Sequence, residues 1–125
     1  MIAAVFDTWI LLDALRGVPE AGVEIKRYAQ RYLSRISWIE VLTHGLPDDG
    51  QRTEGFLAHF KVVEISDEIA RSAAQLRAQR RGLTLSNAIV LATAQTTGRI
   101  LVTRNTHAFP AQMPGIRVPY ELEKV

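Results

Sequence analysis

Residues 2–6, IAAVF, form an apolar run that stops abruptly at Asp7. Such a run is too short for a helix and reads as a buried strand. It is the first of several. KVVEI at 61–65 alternates polar and apolar residues and is rich in β-branched types, ILV at 100–102 is a third run, and IRV at 116–118 reads as a last short strand. Helical signals fill the intervals. TWILLDALR at 8–16 ends on Gly17, with Pro19 just beyond, and Val23 to Leu33 is expected to form a second helix. A third is expected to start at Ser37 in SWIEVLTHGL, where Glu40 stands at capping-box spacing and Gly45 and Pro47 close the segment. Residues 51–60 also read as helical. Ser66 is expected to cap DEIARSAAQLRAQRR, acidic in its first turn and basic in its last, as the helix dipole favours. Ser86 is expected to cap the next helix, which Gly98 ends. Strand, helices, strand, two helices, strand is the order of a parallel sheet with helices on both faces.

In sheets of that kind, sites gather at the carboxyl ends of the strands. That rule selects Asp7 and the turn Thr103-Arg104-Asn105, because each directly follows an expected strand. Asp7 is equally well explained as the N-cap of the helix it precedes. Glu40 is the one acid in the mostly apolar stretch ISWIEVLTHGL, and its competing explanation is the capping box with Ser37. Asn87 and Asn105 sit where Asn is favoured at helix starts and turns for purely local hydrogen bonding. Asp48-Asp49 reads as a turn, Asp67-Glu68 as dipole compensation, and His44, His59 and His107 have no metal-site spacing. Trp9 and Trp38 are expected to be packing residues.

Composition narrows the classes further. With 125 residues, of which 47% are hydrophobic, the chain supports one core and a single domain over 1–125. There is no cysteine, so only oxygen or histidine ligands are left for a metal. No apolar run reaches membrane-spanning length, and MIAAVFDTW lacks a basic n-region, so a soluble cytoplasmic protein is expected. A net charge of +2 does not by itself indicate nucleic acid, although the basic residues are 12 Arg against 3 Lys. Signatures GxGxxG, GxxxxGK[ST], GxSxG and HExxH are all missing.

Four segments, in order, resemble the PIN-domain family. They are VFDTWIL at 5–11, ISWIEVLTHGL with its lone Glu, GLTLSNAIVLATAQTTG, and RILVTRNTHAF, spanning residues 5–109. The similarity is greatest to VapC-type toxins of bacterial toxin–antitoxin pairs. It implies a three-layer α/β/α sandwich with a central, mostly parallel sheet. It also implies Mg²⁺- or Mn²⁺-dependent endonucleolytic cleavage of RNA, a small cognate antitoxin and a homodimer. Asp7 and Glu40 match the family's first two acidic positions. Asn87 stands where the family usually has Asp, and at the fourth motif Asn105 and Ala108 replace the acid. Trp9 replaces a commoner small polar residue.

With these departures the resemblance gives Asp7, Glu40 and Asn87 as metal ligands, Asn105 as a further member of the catalytic set, and Arg104 as a contact to RNA phosphate. Two acids and two amides carry about half the negative charge of four acids, which fits one weakly held ion better than two. The alternative reading is a PIN domain of weakened or lost catalysis, serving as an RNA- or antitoxin-binding module. A receiver- or flavodoxin-like regulatory domain ranks well behind, because Asp7 alone sits at a strand end.

Overall fold

A computed structural model describes residues 2–122. Along the chain run β1 (Ala3–Phe6), α1 (Thr8–Leu15), α2 (Pro19–Lys26), β2 (Gln30–Ser34), α3 (Arg35–His44), α4 (Gly50–Leu57) and β3 (Lys61–Val63). They are followed by α5 (Asp67–Gln79), α6 (Leu85–Thr97), β4 (Ile100–Val102) and β5 (Ile116–Arg117). All strand pairs are parallel, in the order β3-β2-β1-β4-β5. The α/β sandwich expected from the sequence is therefore present, with its described sheet wholly parallel.

Successive strand residues point to opposite faces, and the two faces build two cores. Ala4 and Phe6 of β1, Leu33 of β2 and Val102 of β4 pack with α1, α2 and α4. Phe6 meets Tyr28 and Phe60 edge-on, with centroids 5.5 and 5.8 Å apart. Val5 and Leu101 point the other way, onto Val90, Leu91 and Ala94 of α6 and onto Phe109. Behind α6 lies α5, joined through Ile69, Ala73, Ala88, Ile89 and Ala92. The run Ala88–Ala94 is buried on every side, since α6 is sandwiched between the sheet and α5.

Three local expectations change. The helix expected over Val23–Leu33 ends at Lys26, and β2 takes Gln30–Ser34. The helical period misled because it is real as far as Tyr28: Ala21, Glu24, Ile25 and Tyr28 are all buried at i, i+3, i+4, i+7 spacing. Beyond that point the chain pairs with β1, Ala3 opposite Gln30 and Val5 opposite Tyr32. The cap of α3 is Ser34, whose hydroxyl accepts from the Ile36 N–H at 3.2 Å, rather than Ser37. α3 leaves β2 with no linker, so the cap is the last strand residue, and Ser37 and Glu40 lie inside the helix. Thr84, not Ser86, caps α6, accepting from the Asn87 N–H at 3.2 Å. Gly45 does end α3 as expected; a Cβ there would stand 2.6 Å from the Val41 carbonyl oxygen.

One buried ion pair ties the edge of the sheet to α2. Glu24 is 3% exposed and takes both Arg117 donors, at 2.6 and 2.9 Å, and the Tyr28 hydroxyl at 2.7 Å. Burial alone would raise its carboxyl, but the Arg117 and Tyr28 hydrogen bonds outweigh that and hold it below the ordinary value of 4.5. A depressed folded pKa means the unfolded state binds more protons, so this stability is present above pH ~4.5 and is lost as pH falls through the lower folded value. We expect the wild-type melting temperature to fall below pH ~4.5, and Glu24→Gln to be less stable at neutral pH yet flatter across that acid range. Thermal melts at several pH values check this; parallel curves would overturn it.

Candidate functional site

The strand order reverses between β1 and β4, and the residues just past those two strands meet there. Asp7 follows β1 and Thr103 follows β4. The Asp7 N–H donates to the Val102 carbonyl at 2.9 Å, which continues the sheet by one step. The Thr103 hydroxyl then donates to Asp7 Oδ2 at 2.7 Å, and the Thr8 N–H to Asp7 Oδ1 at 2.8 Å. Asp7 is therefore the N-cap of α1 and a switch-point carboxylate at once. The capping reading is the one the geometry shows, and it leaves lone pairs on both carboxylate oxygens.

Glu40 comes in from α3. Its Oε1 accepts from the Thr8 hydroxyl at 2.7 Å, and Thr8 Oγ1 also lies 3.0 Å from Ser37 Oγ. One hydroxyl has one proton, so Thr8 gives it to the carboxylate and receives the Ser37 proton. Glu40 is thus bound to Thr8 across 32 residues of sequence, and the capping box expected with Ser37 does not form. Thr8 links both acids, by its N–H to Asp7 and by its hydroxyl to Glu40.

The electrostatics follow from that placement. Asp7 is 3% exposed, and burial pushes its carboxyl above the ordinary 3.8. Hydrogen bonds from Thr103 and Thr8 pull it down, the Glu40 charge pushes it up again, and Arg104 lowers it. A desolvated carboxylate with a second carboxylate at hand is a place where a divalent cation relieves both penalties. The donor set is all hard oxygen, which suits Mg²⁺ or Mn²⁺. Each Asp7 oxygen accepts one hydrogen bond and retains a lone pair. Among the described residues there is no group of three or more His, Cys, Asp or Glu able to hold a metal, and the two acids joined through Thr8 are the carboxylates at this point.

The two Asn residues differ. Asn87 is on the first turn of α6, which packs against both α3 and β1, and its backbone is satisfied by Thr84. Its side chain is half-buried and makes no hydrogen bond among the described residues, so the carbonyl oxygen is uncommitted. Asn105 is partly engaged. Its Oδ1 accepts from the Ala108 N–H at 3.3 Å, and its own N–H donates to Thr103 Oγ1 at 3.0 Å, closing the turn after β4. Its amide N–H groups remain.

Arg104 is held by a partner that sequence reasoning passed over. Asp13, 4% exposed on α1, accepts from Arg104 Nε at 2.6 Å and Nη2 at 3.1 Å, and from the Tyr120 hydroxyl at 2.7 Å. The Asp13 hydrogen bonds raise the Arg104 pKa further, and burial and Asp13 push the Tyr120 hydroxyl up. Arg104 therefore presents its two Nη1–H groups and one Nη2–H outside this pair, and Asp13 offsets much of its charge. Thr8, Asp13 and Tyr120 had no assigned role in the sequence, and Ser37 stood there only as a cap; Thr103 alone was marked, by directly following an expected strand.

Trp38 is the packing residue expected, set against the α1 side of the core. Trp9 is not: it is 43% exposed, and with Arg104, Asn105, Thr106 and His107 it lines an open pocket of about 400 Å³. His44, His59 and His107 are all exposed and far apart in sequence, as expected of surface residues. Among the described residues, no helix is long and apolar enough to cross a membrane.

A family model described as the PIN domain matches residues 4–111. No curated protein matches the chain by sequence. Among solved structures, a toxin–antitoxin complex from Klebsiella pneumoniae contains a chain 39% identical, aligned over 95% of this chain and 99% of that one, with a TM-score of 0.85. DNA-bound VapBC from Salmonella typhimurium aligns over 94% and 96% at 23% identity, with a TM-score of 0.77. FitAcB from Neisseria gonorrhoeae aligns over 98% and 100% at 21% identity, with a TM-score of 0.74. These last two agree in fold.

Proposed function

The chain belongs to the PIN-domain family, and on that premise we propose that it is a metal-dependent endoribonuclease, the toxin of a VapC-like pair. The observation that carries this reading is the meeting of Asp7 and Glu40 at the strand-order reversal, both bound to Thr8. Glu40 also takes the proton of the buried Thr8 hydroxyl, so each acid has a local hydrogen-bond use as well. The cap of α1 itself needs only one of them.

Asp7, Glu40 and the Asn87 carbonyl are the proposed ligands, and Mg²⁺ or Mn²⁺ when bound supplies charge neutralisation at the scissile phosphate. Asp7 is the rigid member, because its cap and the Thr103 bond leave its carboxylate no freedom. Glu40 is the proposed acceptor of the proton from the attacking water; its second oxygen has no hydrogen-bond partner among the described residues. As the water oxygen bonds to phosphorus, the ester oxygen leaves with a proton from solvent. Asn105 offers its amide N–H groups, and Arg104 its Nη1, to phosphate oxygens.

The partners proposed are single-stranded RNA as substrate, a small antitoxin as inhibitor, and a second copy of the chain. The antitoxin is suggested by the toxin–antitoxin complex whose chain is 39% identical. One specific observation favours the second reading, a module with weakened catalysis. The Asn105 oxygen carries no charge and already accepts from the Ala108 N–H, so a fourth acid is lacking and the fourth oxygen is shared.

The experiment is RNA cleavage by the purified chain with Mn²⁺, with Mg²⁺ and with EDTA. We expect discrete cuts at millimolar metal and none in EDTA. Absence of cuts at every metal concentration, with the chain folded, would overturn the nuclease and leave the module.

A further inference from the structure

Trp9 has no part in the chemistry above and none in the core. It sits on the first turn of α1, two residues after Asp7, and remains 43% exposed. The rest of the pocket's lining, Arg104 to His107, starts one residue after Thr103. Since Asp7 and Thr103 are hydrogen bonded to each other at 2.7 Å, the pocket opens beside the acidic pair. At about 400 Å³ it has the size of a small-molecule site.

Four of the five lining side chains are planar, an indole, an imidazole, a guanidinium and an amide, and the fifth is Thr106. We propose that this pocket is a nucleobase subsite, in which an unpaired RNA base stacks on the exposed indole of Trp9 next to the scissile phosphate. The proposal rests on the ribonuclease reading and adds to it the group that seats the substrate. Base–aromatic stacking suits any base, because every base has a π face.

The geometry selects which face of the indole is used. The Arg104 guanidinium carbon lies 5.6 Å from the ring centroid. A base between two stacked partners needs about 7 Å, two carbon contacts end to end, so it does not fit between them. Arg104 backs the ring instead, and the base takes the exposed part. Asp13 and Tyr120 hold Arg104 in that place. The Asn105 oxygen is already engaged by the Ala108 N–H, whereas its amide N–H groups have no partner among the described residues and match acceptor atoms on a base edge. A docked protein segment would be served better by Leu, Ile or Val walls, and none of these lines the pocket.

The test uses the full chain in EDTA, so that binding is read without cleavage. It is titrated with a short single-stranded RNA and with an abasic strand of equal length and charge. We expect the base-containing strand to bind at least about fivefold tighter, Trp9→Ala to remove that preference, and Trp9→Phe to keep part of it. In a Trp38→Phe background only Trp9 emits, and RNA but not the abasic strand is expected to quench it. With metal present, Trp9→Ala is expected to raise KM more than it lowers kcat. A preference for bases that survives Trp9→Ala, or emission indifferent to RNA, overturns the subsite. So does a Trp9→Ala chain that loses only its antitoxin. Cleavage that proceeds without any Trp9 effect sinks the subsite alone, whereas a wild-type chain that never cuts sinks the nuclease reading and leaves the EDTA binding result to decide the subsite.

Discussion

Replacing Asp7 with Asn is expected to leave a folded chain that cuts RNA at least about a hundredfold more slowly, the scale of a lost acid–base or charge-stabilising group. This substitution isolates the charge. Asn is as good an N-cap as Asp, so the bond from the Thr8 N–H survives. Thr103 can reverse its hydroxyl and accept from the new amide. What disappears is the negative charge, which burial and Glu40 both oppose in the metal-free chain. A raised folded pKa has a definite sign: between the ordinary 3.8 and the raised value the folded state holds the extra proton, so stability drops as pH rises through that window and stays lower above it. Asn carries no such penalty. Without metal, Asp7→Asn should therefore melt at or above the wild-type temperature at neutral pH. With millimolar Mn²⁺ the order should reverse, because only the wild type gains from binding. Cleavage within tenfold of wild type, or a variant that still gains stability from Mn²⁺, would falsify the assignment of Asp7 as a ligand.

The second large effect is a gain. Asn87→Asp is expected to tighten Mn²⁺ by roughly tenfold to a hundredfold, since a full charge near a divalent ion is worth a few kcal/mol even at an effective dielectric of about 20. Cleavage should rise with it at limiting metal and converge with wild type at saturating metal. The fold should tolerate the change. Asn87 is half-buried and its side chain makes no hydrogen bond among the described residues. The first turn of α6 contains no acid, and a carboxylate there is favoured by the helix dipole by about 0.3–1 kcal/mol. Calorimetric Mn²⁺ titration and cleavage rates against metal concentration measure both effects. Unchanged affinity with an intact fold would mean that Asn87 is a helix-start residue and that Asp7 and Glu40 hold the ion without it.

How much of this was legible in the chain differs by residue. β1, α1, α6 and β4 could be read from apolar runs and terminators, since Asp7, Gly17 and Gly98 mark real ends. β2 could not. Gln30-Arg31-Tyr32-Leu33-Ser34 carries little strand pattern of its own, and its partners β1 and β3 are remote segments that no local window contains. Both cap misassignments, Ser37 for Ser34 and Ser86 for Thr84, are shifts of two or three residues among equally good capping types. Asp7 and Glu40 were legible as isolated acids in apolar surroundings. Thr8 as the link between them was not, because its hydroxyl role depends on where α3 crosses α1.

The same division holds for the site as a whole. Residue types and their order along the chain determined the parallel α/β fold, the strand-end position of Asp7, the absence of any thiolate ligand and the presence of Asn rather than an acid at positions 87 and 105. Tertiary structure decided the rest. It placed Glu40 on Thr8, turned the Asn105 oxygen onto Ala108, neutralised Arg104 with the buried Asp13 and left Trp9 in the open. Each of those outcomes is a choice of hydrogen-bond partner or of exposure between elements distant in sequence. Local propensity acts over a few residues and has no purchase on such choices; they are made when the strands come into register and the loops between them are left with one place to go.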